Sequence, residues 1–392
     1  MESSEDALRR RALGFLVLLG VVSLCADVTY EGARSITGPF LALLGASGAT
    51  VSLVAGFGEL VGYGLRLVSG YVADRTRRYW EIAALGYVVN LLAVPALALA
   101  GRWEVAALLM VAERTGKAIR NPSRDVMLSH AAGRVGQGFG FGLHEALDQI
   151  GAILGPLVAA GVLMLGGSYR QAFALLGIAA VLALGTLAAA RLIYPNPKEL
   201  EMRRAPLEGK GLGRAYWLFL VSAALVAMGY ADFPLVAYRL QKEGIASAAW
   251  IPVLYSIAMG VDALAALALG KLFDRYGLPV LAGVVLVASL FAPLVFLGGF
   301  AFVVVGMVFW GIGMGAQESV MRASVAALVP PDRRGTAYGL FNAGYGLAWF
   351  VGSAVIGLLY DVSVGALVVF SVATQVGAVG VLLASTAHTR TR

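Results

Sequence analysis

The sequence of 392 residues is 59% hydrophobic and 14% charged, whereas soluble domains are about half apolar and a quarter charged. This balance excludes an ordinary soluble domain and predicts an all-α polytopic membrane protein. The net charge of +7 would suit an anionic partner, but the basic residues lie between apolar segments, where they set membrane topology. We therefore expect the lipid bilayer as a partner and no nucleic acid.

Cysteine and histidine usage argues against a metal centre. The single cysteine, Cys25, lies in an apolar run, so it can form no intrachain disulfide and belongs to no zinc-binding spacing. The three histidines, His130, His144 and His388, are too scattered for a His-based site. We expect no bound metal and no cofactor.

Twelve apolar segments are long enough to cross a bilayer, for which a helix needs about 20 residues. Six of them lie at 12–38, 47–72, 80–100, 103–122, 137–165 and 169–192. The other six follow a polar interval and lie at 215–240, 246–271, 278–298, 300–326, 335–360 and 364–386. We number these segments as the first to the twelfth span.

The spans predict a division into two halves. Residues 1–11 are polar and precede an apolar run without a cleavage site, which predicts a cytoplasmic tail before a retained first helix. Two six-helix bundles are expected at 12–193 and 215–387, joined by a cytoplasmic linker at 194–214. A short cytoplasmic tail at 388–392 ends the chain.

The distribution of Lys and Arg predicts the orientation, because cytoplasmic loops are enriched in both. With the N-terminus inside, 22 basic residues fall on the cytoplasmic side and 4 in outer loops. The larger group includes Lys117, Arg120 and Arg124. Both termini are therefore predicted to be cytoplasmic, in the inner membrane of a bacterium or archaeon.

A charged stretch follows the second span and recurs 200 residues later. The two copies are Gly70-Tyr-Val-Ala-Asp74-Arg75-Thr-Arg77-Arg78 and Gly270-Lys-Leu-Phe-Asp274-Arg275-Tyr-Gly277. The openings of the fifth and eleventh spans also correspond, as Gly136-Gln-Gly-Phe139-Gly140 and Gly335-Thr-Ala-Tyr338-Gly339. These repeats predict two homologous halves.

The repeated loop resembles the signature of the major facilitator superfamily, a large family of secondary transporters. The resemblance extends from about Leu13 to Ser385. It implies twelve transmembrane helices in two pseudo-symmetric six-helix bundles, with substrate bound between the bundles.

The resemblance also implies a conformational hinge. Asp74 would cap the helix beginning near Gly335, and Asp274 the one beginning near Gly136, because a carboxylate is favoured at a helix N-terminus. A solvated turn without a switching role is the alternative. The predicted hinge residues are Gly70, Asp74, Arg75, Arg78, Arg124, Gly270, Asp274, Arg275 and Arg322.

The fifth span contains Gly151-Ala-Ile-Leu-Gly155-Pro156, which resembles the Gly-x-x-x-Gly-Pro motif of drug–proton antiporters in that superfamily. Its glycines allow close helix packing, and Pro156 permits a bend. The antiporter motif usually continues with paired glycines, where this chain has Ala160-Gly161. The motif favours export, and helix packing without directional meaning is the alternative.

Ionisable residues are concentrated in the first span, where each costs roughly 2.5–3.5 kcal/mol on insertion scales. Asp27, Glu31 and Arg34 are spaced by four and three residues and therefore share one helix face. Two adjacent carboxylates resist double ionisation, so one of them is expected to keep a proton near neutral pH. Asp27 and Glu31 are the first candidates for proton coupling, with Arg34 as counter-charge.

The fourth and fifth spans carry two further charged groups. The fourth contributes Glu113, Arg114 and Lys117, and the fifth contributes His144, Glu145 and Asp148. Because the two spans run in opposite directions, both groups are expected at similar depth, beside the central cavity. Glu145 and Asp148 are the second candidates for proton coupling. Ion pairs that only offset the cost of burial are the alternative.

The C-terminal half has fewer charges and more aromatic residues. Its aromatic side chains would provide a wall for an amphipathic or cationic ligand, although lipid-facing positions are the usual alternative. Ion coupling is therefore expected in the N-terminal half and an apolar substrate wall in the C-terminal half. The candidate cavity residues are Glu113, Arg114, Lys117, His144, Asp232, Asp262, Tyr230, Trp310, Glu318 and Trp349.

Together these features predict a monomeric secondary transporter that moves a small solute by alternating access and is driven by a proton gradient. Export of a small organic compound is the leading hypothesis. No phosphate-binding Gly-x-x-x-x-Gly-Lys-Ser/Thr loop is present, which argues against ATP-driven pumping. An enzyme would show a nucleophile–base pair, and a transporter-like sensor would show an appended soluble domain; neither pattern occurs.

Two other substrates fit the same residues. A divalent metal ion would be held by Asp27, Glu31, His144, Glu145 and Asp148. An organic anion would be held by Arg34, Arg114 or Lys117 during uptake.

Replacing Asp74 with Asn is expected to weaken closure of the cytoplasmic side by about 0.3–1 kcal/mol, because the charge at the capped helix start is lost. The variant then spends more time open to the cytoplasm. Cysteines placed in the central cavity should therefore react less with a label added from outside. Labelling equal to that of the wild type, in a folded variant, would instead support a solvated turn without a switching role.

Overall fold

The computed structural model describes residues 4–196, 212–329 and 334–390, and these residues form helices and no strand. The first six helices are α1 (Ser4–Leu43), α2 (Gly48–Thr76), α3 (Tyr79–Ala96), α4 (Trp103–Val135), α5 (Gln137–Met164) and α6 (Tyr169–Ile193). The next five are α7 (Arg214–Gly229), α8 (Phe233–Lys242), α9 (Trp250–Tyr276), α10 (Pro279–Ala288) and α11 (Phe291–Leu297). The last four are α12 (Phe300–Gly315), α13 (Met321–Leu328), α14 (Arg334–Val362) and α15 (Val364–Arg390).

The helices follow the predicted spans and confirm the all-α membrane fold. Among the described residues, eleven stretches are long and apolar enough to cross a bilayer. The remaining span corresponds to α4, which is 33 residues long but carries charged side chains through its middle. Two helices extend beyond their predicted spans, because α1 already begins at Ser4 and α4 continues past Pro122 to Val135.

Three of the spans in the C-terminal half are interrupted. The seventh consists of α7 and α8, the ninth of α10 and α11, and the tenth of α12 and α13 joined by a π-helical turn, Ala316–Val320. Backbone groups freed at a break in a membrane helix need partners inside the protein. At the α7–α8 break, Ser371 Oγ donates a hydrogen bond to the Gly229 carbonyl. Trp310 Nε1 donates to the Ala231 carbonyl at 3.0 Å.

The chain divides into two compact units. The first contains residues 1–34 and 64–205, and the second contains residues 35–63 and 206–392. In the first unit α3 packs on α4 and α6, and α5 packs on the same two helices. In the second unit α7 packs on α14 and α15, and α9 packs on α12. The predicted bundles at 12–193 and 215–387 stay a prediction, and most of the predicted linker, residues 197–211, lies outside the described residues.

Glycines set the closest helix crossings of the first unit. A Cβ added to Gly116 of α4 would lie 2.2 Å from the backbone nitrogen of Asn90 in α3. A Cβ added to Gly155 of α5 would lie 2.4 Å from the Val28 carbonyl oxygen of α1. These distances leave no space for a side chain, so α3 meets α4, and α1 meets α5, backbone against backbone.

The two copies of the charged loop motif occupy equivalent helix ends. Asp74 and Arg75 lie in the last turn of α2, and Asp274 and Arg275 lie in the last turn of α9. All four side chains are exposed. A positive φ follows each helix, 56° at Arg77 and 70° at Gly277, and ends it.

Replacing Gly116 with Ala is expected to destabilise the first unit by about 1–3 kcal/mol, because an added methyl group overpacks the α3–α4 crossing. The melting temperature of the purified protein in detergent would fall. Gly142 of α5 is the matched control, since a Cβ there has no neighbour within 4 Å. Equal melting temperatures for the two variants would contradict the close crossing.

A buried charged cluster as the candidate functional site

Three cations of α4 form the centre of a charged cluster in the first unit. Lys117, Arg120 and Arg124 are spaced by three and four residues, which places them on one helix face. α1 contributes Asp27 and Glu31 to the cluster, and their exposed fractions are 5% and 7%. The cluster therefore brings acidic groups of one helix against a basic face of another, away from solvent.

Lys117 joins α4 to the outer part of this acidic face. Its Nζ lies 3.8 Å from Glu31 Oε1 and 3.9 Å from the centre of the Tyr30 ring. The ammonium group is thus held by a carboxylate and by a cation–π contact. Arg34 was predicted as the local counter-charge of the two carboxylates, and the structure adds Lys117 from another helix.

Arg120 is fully buried and has an unusual environment. Its guanidinium carbon lies 4.4 Å from the centre of the Tyr87 ring and 5.5 Å from that of the Tyr30 ring. None of its three guanidinium nitrogens has a hydrogen-bond partner among the described residues, and neither does the Tyr87 hydroxyl. The guanidinium of Arg120 therefore contacts aromatic faces and makes no hydrogen bond in this arrangement.

Arg124 connects α4 to α1 and α5. It donates to Ser23 Oγ at 3.3 Å and to Asp125 at 2.9 Å, and Nη1 lies 3.8 Å from Asp148 Oδ2. His144 Nε2 is 3.2 Å from Ser23 Oγ and 3.6 Å from Asp148 Oδ2. These contacts form a continuous polar network across three helices.

Asp27 is the second acidic residue that α1 contributes to the cluster. The charged side chains that act on it most strongly are Asp148, Lys117, Arg120 and Glu31. Its Oδ1 atom is buried and has no hydrogen-bond partner among the described residues. Its Cβ lies against Gly151 of α5, where an added Cβ would approach to 2.8 Å. The glycine motif of α5 therefore fixes the depth of Asp27.

Several residues predicted for this cluster have contacts that the sequence did not indicate. Glu113 and Arg114 were expected opposite the α5 charges, but they pair with each other at 3.4 Å, and Asn90 also donates to Glu113. Glu145 is exposed, 3.4 Å from Gln149. Arg124 was expected near the cytoplasmic end of the fourth helix and lies inside α4. α4 continues for 13 residues beyond Pro122, which brings Arg124 within the same helix as Lys117 and Arg120.

The sequence reasoning missed Arg120, Tyr30, Tyr87 and Ser23 as site residues. Arg120 had a readable signal, because it completes the basic face between Lys117 and Arg124. The tyrosines and the serine had none, because their contribution depends on which helices become neighbours.

The second unit contains an aromatic group instead of a charged cluster. The Tyr230 ring lies 4.9 Å from Phe291, 5.7 Å from Trp310 and 5.9 Å from Trp349, measured between ring centres. All four side chains are buried, and the Tyr230 hydroxyl donates to the Trp310 carbonyl. In this structure the predicted aromatic wall is a packed core.

The acidic candidates of the second unit have different environments. Asp232 at the α7–α8 break is 1% exposed, and its Oδ2 accepts hydrogen bonds from Trp349 Nε1 at 2.9 Å and Ser353 Oγ at 3.0 Å. Asp262 of α9 is also buried, whereas Glu318 in the π-helical turn is exposed. The structure therefore joins Asp232 directly to Trp349 through a hydrogen bond.

The remaining predicted hinge residues lie near helix ends. Gly70 of α2 is 3.6 Å from Pro122 of α4, measured from an added Cβ. Arg78 directly precedes α3, and Arg322 of α13 is exposed, with its carbonyl accepting from the Tyr338 hydroxyl at 2.9 Å. Gly270 lies in α9, one turn before Asp274. Their switching role stays a prediction.

The described residues contain no group of three His, Cys, Asp or Glu side chains that could hold a metal ion. The charged cluster instead combines buried carboxyl groups of α1 with a basic face of α4.

Comparison with known proteins identifies the family. A model of the Major Facilitator Superfamily matches residues 19–316 and 218–392. The chain belongs to this superfamily. It is therefore a secondary transporter that works by alternating access, and it is not an enzyme.

Relatives and solved structures agree with this assignment. An uncharacterised protein of Mycobacterium tuberculosis strain H37Rv is 44% identical over 377 residues, which cover 94% of this chain and 92% of the relative. An uncharacterised MFS-type transporter of Methanocaldococcus jannaschii is 27% identical and is matched over 88% of each chain.

Two solved transporters have the same fold. A mutant of the nucleoside transporter NupG superposes with a TM-score of 0.78 at 13% identity, covering 95% of this chain and 99% of that one. A bacterial homologue of the human lysosomal transporter Spinster, in an inward-facing and unoccupied state, gives 0.70 at 14% identity, with 99% and 96% covered. At these identities the likeness shows the fold alone.

Replacing Arg124 of the transporter with Gln is expected to lower its melting temperature, since Asp148 would lose its cation while still buried. The double variant Arg124→Gln/Asp148→Asn should recover much of the loss. Arg102→Gln is the control, because Arg102 pairs with Glu104 at 2.9 Å with 76% of its side chain exposed. Losses that simply add in the double variant would contradict a direct coupling of the two residues.

Proposed function

We propose that this transporter exports a small organic compound in exchange for protons, with Asp27 and Glu31 as the proton-carrying pair. The observation that carries the proposal is the unpaired state of Asp27 Oδ1 and of the whole Arg120 guanidinium in one buried cluster. A carboxyl group and a guanidinium group of one cluster that remain unbonded can form an ion pair once the carboxyl group loses its proton.

Pairing the cations of α4 with the carboxylates of α1 and α5 supports this assignment. Lys117 lies beside Glu31, and Arg124 lies beside Asp148, each at 3.8 Å. Neither of these two ion pairs includes Asp27 or Arg120. An ionised Asp27 would be attracted strongly to Arg120 at low dielectric, so the open arrangement fits a protonated Asp27. Loss of the proton would then favour closure of an Asp27–Arg120 ion pair.

Such a closure would move helices and not only side chains. Arg120 is held between the Tyr30 and Tyr87 rings, so a shift of its guanidinium toward Asp27 changes how α1 and α3 pack on α4. Transport by alternating access requires that ligand binding and helix position depend on each other. We infer that protonation of Asp27 links the binding of the driving proton to the positions of the helices.

Other features of the chain support the direction of transport and the class of substrate. Export is supported by the Gly151-x-x-x-Gly155-Pro156 motif of α5, through which α5 contacts α1. An organic substrate is supported by the aromatic side chains of the second unit, which would provide apolar contact area if they became accessible during the cycle.

Uptake of an organic anion is the second candidate, and Arg120 favours it. A buried guanidinium without a hydrogen-bond partner, next to Lys117, is suited to a carboxylate or phosphate. A divalent metal substrate is less well supported, because the described residues do not gather three metal-binding side chains.

Replacing Asp27 with Asn is expected to abolish gradient-driven transport and to leave exchange of substrate at equal pH on both sides largely intact. Glu31→Gln should act in the same direction. The measurement is dye-reported proton flux in proteoliposomes, with organic cations, organic anions and divalent metals added in turn. Glu104→Gln is the control, since 44% of that carboxylate side chain is exposed at the start of α4.

The outcomes separate the candidates. Full gradient-driven accumulation in both carboxyl variants would contradict coupling through Asp27 and Glu31. If anions alone move and Arg120→Gln removes equal-pH exchange, Arg120 is a substrate ligand and anion transport is correct. Loss of divalent-ion binding at every pH in the Glu31 variant would instead indicate metal transport.

A further inference from the structure

The first turns of α1 extend beyond the hydrocarbon core of the bilayer. A helix of 40 residues is about 60 Å long at 1.5 Å per residue, whereas the hydrocarbon core is about 30 Å thick. Asp6, Arg9 and Arg10 of these first turns are exposed. They therefore belong at the level of lipid headgroups or in the aqueous phase beside them.

These turns border a surface cavity of about 590 Å³, formed by α1, the end of α4 and the start of α5. Sites for small molecules have volumes of roughly 300–1,000 Å³, so the cavity is large enough for a headgroup. The lining residues are Asp6, Arg9, Arg10, Leu13, Val135 and Phe139.

The lining has a polar and an apolar part. Arg9 and Leu13 are one turn apart on α1, with the arginine nearer the N-terminus and the leucine nearer the membrane span. Leu13 is 38% exposed and Phe139 is 59% exposed. The two arginines outnumber the single carboxylate of Asp6, so the polar part carries a net positive charge. This order of charges and apolar surface corresponds to that of a phospholipid at a membrane interface.

We propose that this cavity binds the headgroup of an anionic phospholipid. The phosphate contacts Arg9 and Arg10, whose planar guanidinium groups suit phosphate oxygens, and the glycerol and upper acyl chain lie against Leu13 and Phe139. A lipid is the occupant, and not a free phosphate, because an ion would leave the exposed leucine and phenylalanine in water. The lipid joins α1, α4 and α5 at one end of the first unit and stabilises their packing.

The proposal is independent of the coupling residues and is tested by lipid binding. Purified wild-type protein is titrated with phosphatidylglycerol, cardiolipin, phosphatidylcholine or inorganic phosphate, and bound lipid is counted by native mass spectrometry while the melting temperature is recorded. The anionic lipids are expected to bind and to raise the melting temperature. The double variant Arg9→Gln/Arg10→Gln should bind them about thirty-fold more weakly, since each of the two basic residues near the surface contributes about 1 kcal/mol.

A matched control separates this site from general electrostatic attraction. Arg214→Gln/Lys271→Gln removes the same charge from exposed positions of the second unit and should bind anionic lipid like the wild type. Phe139→Ala, which keeps both arginines, should weaken lipid binding and leave any effect of inorganic phosphate unchanged.

Three results would overturn the proposal. One is equal lipid binding by the wild type, the Arg9/Arg10 variant and the Phe139 variant. Another is equal stabilisation by phosphatidylcholine, which would indicate unspecific annular lipid. The third is protection by inorganic phosphate alone, which would assign the cavity to a free anion. If the arginine variant does not fold, the Phe139 variant decides between binding and no binding.

Discussion

The burial of a basic helix face in a membrane protein is the constraint on which the first unit depends. Each cation at bilayer depth costs several kcal/mol without a partner, and α4 places Lys117, Arg120 and Arg124 on one face. Carboxylates of α1 and α5 offset two of these charges, and tyrosine rings of α1 and α3 offset the third. The neighbours of α4 are thus specified by charge as well as by apolar contact.

Small residues make this arrangement possible. The backbone contact at Gly116 brings Asn90 and Tyr87 of α3 next to the basic face, and the contacts at Gly151 and Gly155 bring α1 against α5. The close crossing of α3 on α4 lets the Tyr87 ring reach Arg120, and the crossing of α1 on α5 places Asp27 Cβ against Gly151. Electrostatic and steric requirements therefore support the same helix positions.

The constraint on the second unit is a break in a membrane helix, whose backbone groups need hydrogen-bond partners. Its α7–α8 break exposes backbone carbonyls at membrane depth, and Ser371, Gln375 and Trp310 donate hydrogen bonds to them. Asp232, next to this break, accepts hydrogen bonds from Trp349 and from Ser353. A break with satisfied partners can bend without exposing unpaired groups, which suits an element that must change shape during transport. The two units share a fold class, but they place their polar groups for different purposes.

The sequence by itself determined the helical membrane class, the spans and the family resemblance, because these follow from local apolar length and from a repeated loop motif. It also determined that Asp27 and Glu31 share a face, since that spacing is fixed within one helix. Only the tertiary structure decided that Arg124 and not Arg114 meets Asp148, and that Arg120 lies between Tyr30 and Tyr87. Those contacts depend on where α4 ends and how α3 and α5 cross it, and such crossings are set by packing between segments that are distant in sequence.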